Sequence, residues 1–400
     1  MAGERELLEK HTLIVRDGRI LEILPSETAG QHYAPRVSLE RPSHLLMPGL
    51  VNAHTSIGSL PGAGGAAVFS PDLAALAIAN MLKAGVTAFC DVGYFPGEVA
   101  GTAVAQGLRA VIGLPVAACP SAWAHGPAEY LTRALKLRDE YKAHPSISTA
   151  FAPLESHTLE NAALARVSTL AAELDAGIVV AVNRSRRDVD ECVARHGMRP
   201  LARLESLGLV TPALLAVHAV SLEHAELELI RRAGAGIALC LAADLAGGEG
   251  LSPIGALAAA RTAGVRLCLG SAGAQDLWND IKLLALHGHI AAEHPLLRAR
   301  EVLETAARGG AAALGLDGEI GSLEAGKWAD LCCLDLGGPA MQPVLEPLSQ
   351  VLLAGGRGLV SDVWVAGRQL LSEGQFTRLD WRELAARLKA LEARARMAPT

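Results

Sequence analysis

The sequence predicts an α/β protein, a (β/α)8 barrel inserted into a small β-sandwich that the two ends of the chain build together. Two observations carry this. Eight short apolar runs alternate with helical stretches between about Leu45 and about Leu314, as a ring of parallel strands with outer helices requires. Strand-like segments with hairpin turns flank this region on both sides. A doubly wound open sheet is the main rival, and the lack of a Gly-x-Gly-x-x-Gly after an early strand weakens its nucleotide-binding form. The expected division is 1–44 as the N-terminal part of the sandwich, 45–314 as the barrel, and 315–400 as the C-terminal part of the sandwich with a terminal helix.

Along the chain, Leu13–Val15 and Arg19–Leu24 flank Asp17-Gly18, a strong hairpin signal. The eight barrel runs are Leu46–Ala53, Val86–Val92, Ala110–Val116, Ile147–Ala152, Ile178–Val182, Leu214–Val220, Gly236–Leu241 and Val265–Gly270. Among the helices between them, Pro71–Ala84 has Ser70 to cap it, proline at its first position and Gly85 to stop it. An alanine-rich helix is expected over Glu301–Leu314. Ala329–Leu336 and Asp362–Leu371 then read as returning strands, the second with a turn at Ala366-Gly367. Trp381–Arg394 reads as an amphipathic helix with Leu384, Leu388 and Leu391 on one face.

Half of the 400 residues are hydrophobic and a fifth are charged, so a large core is expected. The net charge of −6 is scattered, which argues against a nucleic-acid or anionic-membrane surface. Seven cysteines without metal-type spacing favour buried free thiols in a reducing compartment. The charged start, Met1 to Glu6, has no apolar signal region, and no run is long enough to span a bilayer. A cytoplasmic protein is expected.

The most informative stretch is Met47-Pro48-Gly49-Leu50-Val51-Asn52-Ala53-His54-Thr55-Ser56, an apolar strand with a polar tip. Near the other end runs Gly321-Ser322-Leu323-Glu324-Ala325-Gly326-Lys327-Trp328-Ala329-Asp330-Leu331. Both strings resemble signatures of the amidohydrolase superfamily, and the likeness extends along nearly the whole chain. It is most similar to the chlorohydrolase and adenosine-type deaminase group, above all the 5-methylthioadenosine/S-adenosylhomocysteine deaminases. Further carrying strings are Arg16-Asp17-Gly18-Arg19-Ile20, Tyr94-Phe95-Pro96, Gly197-Met198-Arg199-Pro200-Leu201-Ala202-Arg203-Leu204 and Asp362-Val363-Trp364-Val365-Ala366-Gly367-Arg368. The resemblance implies a hydrolase that removes an amino group or halide from a purine or triazine ring, using one divalent metal at the barrel mouth to activate water.

That implied mechanism needs two histidines after strand 1, one after strand 5, one after strand 6, an aspartate after strand 8, and a glutamate beside the strand 5 histidine. Here His54 is present, but Ser56 stands at the second position. Ala181 stands at the strand 5 ligand and Arg184 at the catalytic glutamate. His218 matches the strand 6 ligand, and Ala272 replaces the aspartate. Alanine has no donor atom, and an arginine donates only and adds positive charge where a cation should sit. His54 and His218 therefore read as residual or structural residues, with a weak two-histidine metal site or a ligand contact as the alternative.

Arg184 allows a sharper reading, as a fixed cation standing in for the metal's charge and paired with Asp91 or Asp244. The duller reading turns it to solvent. Arg186 and Arg187 read as a solvated helix start. Asp276 and Asp280 fall on the helix after strand 8, out of register with Ala272. Cys119 and Cys240 read as buried small hydrophobes, since no Cys/His/Asn pattern supports a nucleophile.

The expectation is a pseudoenzyme without a cofactor, binding a purine-like molecule as a homodimer or beside an active paralogue. The alternative is an active hydrolase of carbon–nitrogen or carbon–halide bonds with a rebuilt site holding zinc or another divalent metal.

Overall fold

The computed structural model describes residues 7–61, 67–253, 261, 264–273, 276–290 and 297–397. The chain opens with an antiparallel hairpin, β1 (His11–Arg16) and β2 (Arg19–Pro25). Its turn places Asp17 and Gly18 at φ 52° and 79°, the doubly left-handed geometry that an Asp-Gly turn supplies. Next comes β3 (His44–Pro48), and then β4 (Leu50–Thr55), the first barrel strand.

The run Leu46–Ala53, expected as one strand, is thus two strands in two sheets. The handover lies at Gly49, whose N–H donates to Asp330 O at 3.0 Å, whereas Leu50 N donates to Gly85 O at 2.9 Å. Apolarity does not mark such a break, because the partly buried β3 and the buried β4 read as one hydrophobic run.

A short hairpin, β5 (Ser59–Pro61) and β6 (Ala67–Phe69), follows β4. The remaining barrel strands are β7 (Val86–Asp91), β8 (Arg109–Val116), β9 (Ile147–Pro153), β10 (Gly177–Val182), β11 (Leu214–His218), β12 (Gly236–Leu239) and β13 (Arg266–Leu269). With β4 they form one parallel sheet in chain order, flanked by helices. The seam between β13 and β4 is drawn shut at its upper end, where Ala272 N donates to His54 O at 3.0 Å. Gly270 is needed there, because a Cβ would lie within 2.9 Å of the His54 backbone.

Helix Pro71–Lys83 begins as expected, with Ser70 Oγ accepting from Leu73 N at 3.4 Å. The alanine-rich helix is less regular than expected: Ala299–Glu304 and Gly310–Ala313 are joined by a π-helical stretch, Thr305–Gly309. Gly309 there lies against Leu267 O, where a Cβ would come within 2.3 Å.

The barrel interior is filled by small side chains, among them Ala53, Cys90, Val179, Val217, Cys240 and Cys268. Larger residues such as Phe89, Ile112 and Phe151 point outward to the helices. This is the alternation a barrel strand dictates.

The terminal segments meet as expected. In a five-stranded antiparallel sheet, β3 lies at one edge and pairs with β14 (Leu331–Asp335), followed by β15 (Val360–Val365), β16 (Arg368–Ser372) and β17 (Gln375–Phe376). The β1–β2 hairpin is a separate two-stranded sheet, tied to the returning chain by an Arg19–Trp328 bridge. Helix Trp381–Met397 closes the described chain and buries Leu384. Among the described residues, no helix is long and apolar enough to cross a membrane.

Candidate functional site at the barrel mouth

Side chains at the C-terminal ends of the strands share one mouth. His54 lies near the end of β4, where the pairing with β7 shifts register between Asn52 and Thr55. Such a shift re-aims a side chain. His218 ends β11 at φ 72°. The two rings stand edge to face with centroids 5.6 Å apart, so the structure brings the two retained histidines together.

His218 Nδ1–H donates to Asp244 Oδ1 at 2.6 Å, which fixes the tautomer, since a carboxylate only accepts. His54 Nδ1 is buried and has no hydrogen-bond partner. Burial, the neighbouring His218 ring and the Arg184 charge push the His54 imidazole down to about 3, so it is neutral near pH 7.

The positions without donors fall where the chain order implied. Ala181 has the parity of Val179, which lines the barrel interior, so its methyl points toward the axis. It is exposed, and the wall there is open. Ala272 packs against the top of the interior at φ 49°. Ser56 lies just beyond β4, exposed.

Arg184 is exposed and makes no ion pair with Asp91 or Asp244, so the structure returns the duller reading, an arginine turned to solvent, and not the sharper pairing. Both acids are otherwise engaged. Asp91 accepts from Ile57 N at 2.9 Å, and Asp244 accepts from His218. Burial raises the Asp91 carboxyl to about 7, with the Ile57 N–H opposing. Arg186 and Arg187 do begin a helix, Arg186–His196, whose cap is Ser185 Oγ accepting from Asp188 N at 3.0 Å.

Cys240 is buried as expected, and burial pushes its thiol far up. Cys119 is not: it is exposed, with its Sγ 3.6 Å from the Tyr94 hydroxyl.

Two residues matter more than their sequence signals suggested. Asn52 latches the seam: its Nδ2 donates to Ser271 Oγ at 2.8 Å, and Ser271 N donates to its Oδ1 at 3.0 Å. The clue was its place in the Asn-Ala-His run. Asp280 is fully buried on the helix after β13, and its Oδ1 accepts from Ala242 N at 2.9 Å. Nothing in the sequence marked it as different from a solvated helix acid.

Whether these residues fit a catalytic metal is decided by lone pairs. A hydrolytic zinc site takes three or more protein donors and keeps one position open. Here two imidazoles stand opposite two methyl-bearing positions, and among the described residues no cluster of three or more His, Cys, Asp or Glu is placed to hold an ion. The donor set does not fit.

Comparison with known proteins places the chain. The sequence model of the Amidohydrolase family matches residues 45–370. The 5-methylthioadenosine/S-adenosylhomocysteine deaminase of Teredinibacter turnerae is 32% identical over 411 residues, covering 96% of this chain and 92% of its own. That of Saccharophagus degradans is 30% identical over 416 residues, covering 97% and 93%. The crystal structure of an adenosine deaminase from Xanthomonas campestris with bound zinc superposes with a TM-score of 0.92 at 35% identity, covering 98% of this chain and 95% of that one. The atrazine chlorohydrolase of Arthrobacter aurescens, complexed with zinc, shares the fold at a TM-score of 0.86 and 23% identity, covering 96% and 95%. A barrel carried on a sheet from both termini, a family match over most of the chain and full-length deaminase relatives agree: the chain belongs to the amidohydrolase family and is a deaminase-like member of it.

Proposed function

We propose that this chain is a catalytically silent amidohydrolase homologue that holds a purine-like small molecule without hydrolysing it. The donor set carries the reading. Ala181 and Ala272 offer methyl groups beside His54 and His218, and Arg184 supplies a cation where the implied mechanism needs a base. The relatives supply the ligand class, since their names specify 5-methylthioadenosine, S-adenosylhomocysteine or adenosine. The reading includes a cytoplasmic protein acting as a homodimer or beside an active paralogue.

Metal analysis and turnover test it. Protein exposed to zinc, iron or manganese and then dialysed should retain far less than one equivalent. It should release no ammonia from adenosine, 5-methylthioadenosine or S-adenosylhomocysteine. Near-stoichiometric metal with ammonia release overturns the reading. Combining Ser56→His, Ala181→His, Arg184→Glu and Ala272→Asp should confer tight zinc binding, because it returns nitrogen and oxygen donors to the open mouth.

A second reading is an active hydrolase of carbon–nitrogen or carbon–halide bonds on a purine- or triazine-like substrate, with a rebuilt site for zinc or another divalent metal. It is favoured by the full-length likeness to deaminases and by the buried carboxylates Asp91, Asp244 and Asp280. Turnover that disappears in both His54→Ala and His218→Ala would establish it.

A further inference from the structure

The charge of the mouth is uneven along the end of β10. Arg184 has no ion pair or hydrogen bond to another described residue, and its charge reaches His54. Ala181, on the same wall, is exposed, so the strand end beside the guanidinium is open. The facing imidazole of His54 is neutral, and the carboxylates Asp91 and Asp244 accept from Ile57 N and His218.

Three residues further on the situation reverses. Arg187 donates to Glu191 at 2.7 Å and borders a mostly acidic cavity of about 380 Å³ lined by Glu155, Asp188, Glu191 and Glu249 together with His157 and Ser185. One arginine is neutralised by neighbours of its own chain, and the other is not.

We infer that Arg184 anchors an oxyanion site at the barrel mouth, taking the phosphate or carboxylate group of a small ligand. The inference rests on the reading of the mouth as a ligand site without a metal, and deepens it by naming the group recognised. A planar guanidinium presents paired N–H donors that match two oxygens of either anion. The acidic cavity around Arg187 repels the same group, so the anion is directed to Arg184.

Calorimetric titration with inorganic phosphate and, separately, with acetate tests this on the whole chain at low, constant ionic strength. One-site saturable binding of at least one probe is expected, and the stronger probe identifies the group. Arg184→Gln should weaken it by about tenfold or more, whereas Arg187→Gln should leave it nearly unchanged. Arg184 is exposed, so its variant should melt at the wild-type temperature. The absence of saturable binding by either probe, or an equal loss in Arg187→Gln, overturns the inference. The metal measurement is independent: a metal-free protein that ignores both anions sinks this inference alone, and a metal-loaded, hydrolytic protein sinks the reading beneath it.

Discussion

The outer frame and the barrel mouth treat their buried polar groups differently. In the frame most are paired, with Thr87 Oγ1 and His287 Nδ1 as exceptions. Arg109 Nε donates to Asp330 Oδ2 at 3.1 Å and its Nη1 to Pro145 O at 3.1 Å, and Asp330 also accepts from Ala366 N at 2.8 Å. Arg203 donates to Asn161 Oδ1, Ser156 O and Leu159 O. At the mouth, His54 Nδ1, Asn183 Oδ1, Asp244 Oδ2 and Asp280 Oδ2 are buried without a partner. Left-handed backbone occurs there too, at Glu155, Asn183, His218, Ala219 and Ala272, as well as in frame turns such as Asp17 and Ala366. Native interiors pair nearly all buried polar groups, and strained residues cluster at functional sites. The difference teaches that the mouth keeps the costs of a working site although Ala181, Arg184 and Ala272 stand where the family resemblance implied donors and a base, whereas the frame is built mainly for stability.

The largest effect should come from breaking the frame. Asp330→Ala leaves Arg109, only 5% exposed, without its carboxylate. Removing one member of a buried pair typically costs about 3–5 kcal/mol. Urea unfolding should show a loss of that size, while Ser56→Ala at the exposed lip should stay within about 0.5 kcal/mol. Equal losses at both positions would erase the contrast.

The frame was more legible in the sequence than the mouth, for physical reasons. Alternating apolar runs and the Asp17-Gly18 turn report local geometry, and the structure returns them as strands and a hairpin. The break at Gly49 was hidden because β3, partly buried, and β4, buried, lie in adjoining sheets and share one hydrophobic run. At the mouth, chain order brought His54, His218, Ala181 and Ala272 to strand ends. Which partner each charged group chooses depends on distances that no spacing encodes. Asp244 therefore went to His218 rather than to Arg184, and Asp280 to the Ala242 backbone.

A smaller effect should separate the regions by pH. Burial raises the Asp280 carboxyl to about 7, against the Ala242 N–H and with help from the Asp244 charge. An unfolded aspartate titrates near ~3.9. Between these values the folded state binds more protons than the unfolded one, so stability falls as pH rises from about 4 to about 7. Asp280→Asn keeps the shape and removes the titration. Because Asp91 is also raised to about 7, the variant should lose only part of the decline. Urea midpoints at pH 5 and pH 8 measure it, and a slope identical to wild type would remove Asp280 as a source.

The smallest effect has the most diagnostic sign. In an ordinary strand or helix, replacing alanine by glycine destabilises by about 0.5–1 kcal/mol, because glycine loses more freedom on folding. Ala272 sits at φ 49°, where a Cβ costs roughly 1–2 kcal/mol. Ala272→Gly should therefore stabilise the fold slightly, by up to about 1 kcal/mol, as the relief of strain exceeds the added chain entropy. The backbone there is held by the Ala272 N–H on His54 O and by Thr55 Oγ1 donating to Gly273 O at 2.7 Å, bonds that do not need the methyl. Aspartate and asparagine tolerate this conformation better than alanine, so Ala272→Asn should be neutral or stabilising as well. A destabilising Ala272→Gly would mean that the methyl is packed rather than strained, and that this corner of the mouth has been remade for stability like the frame.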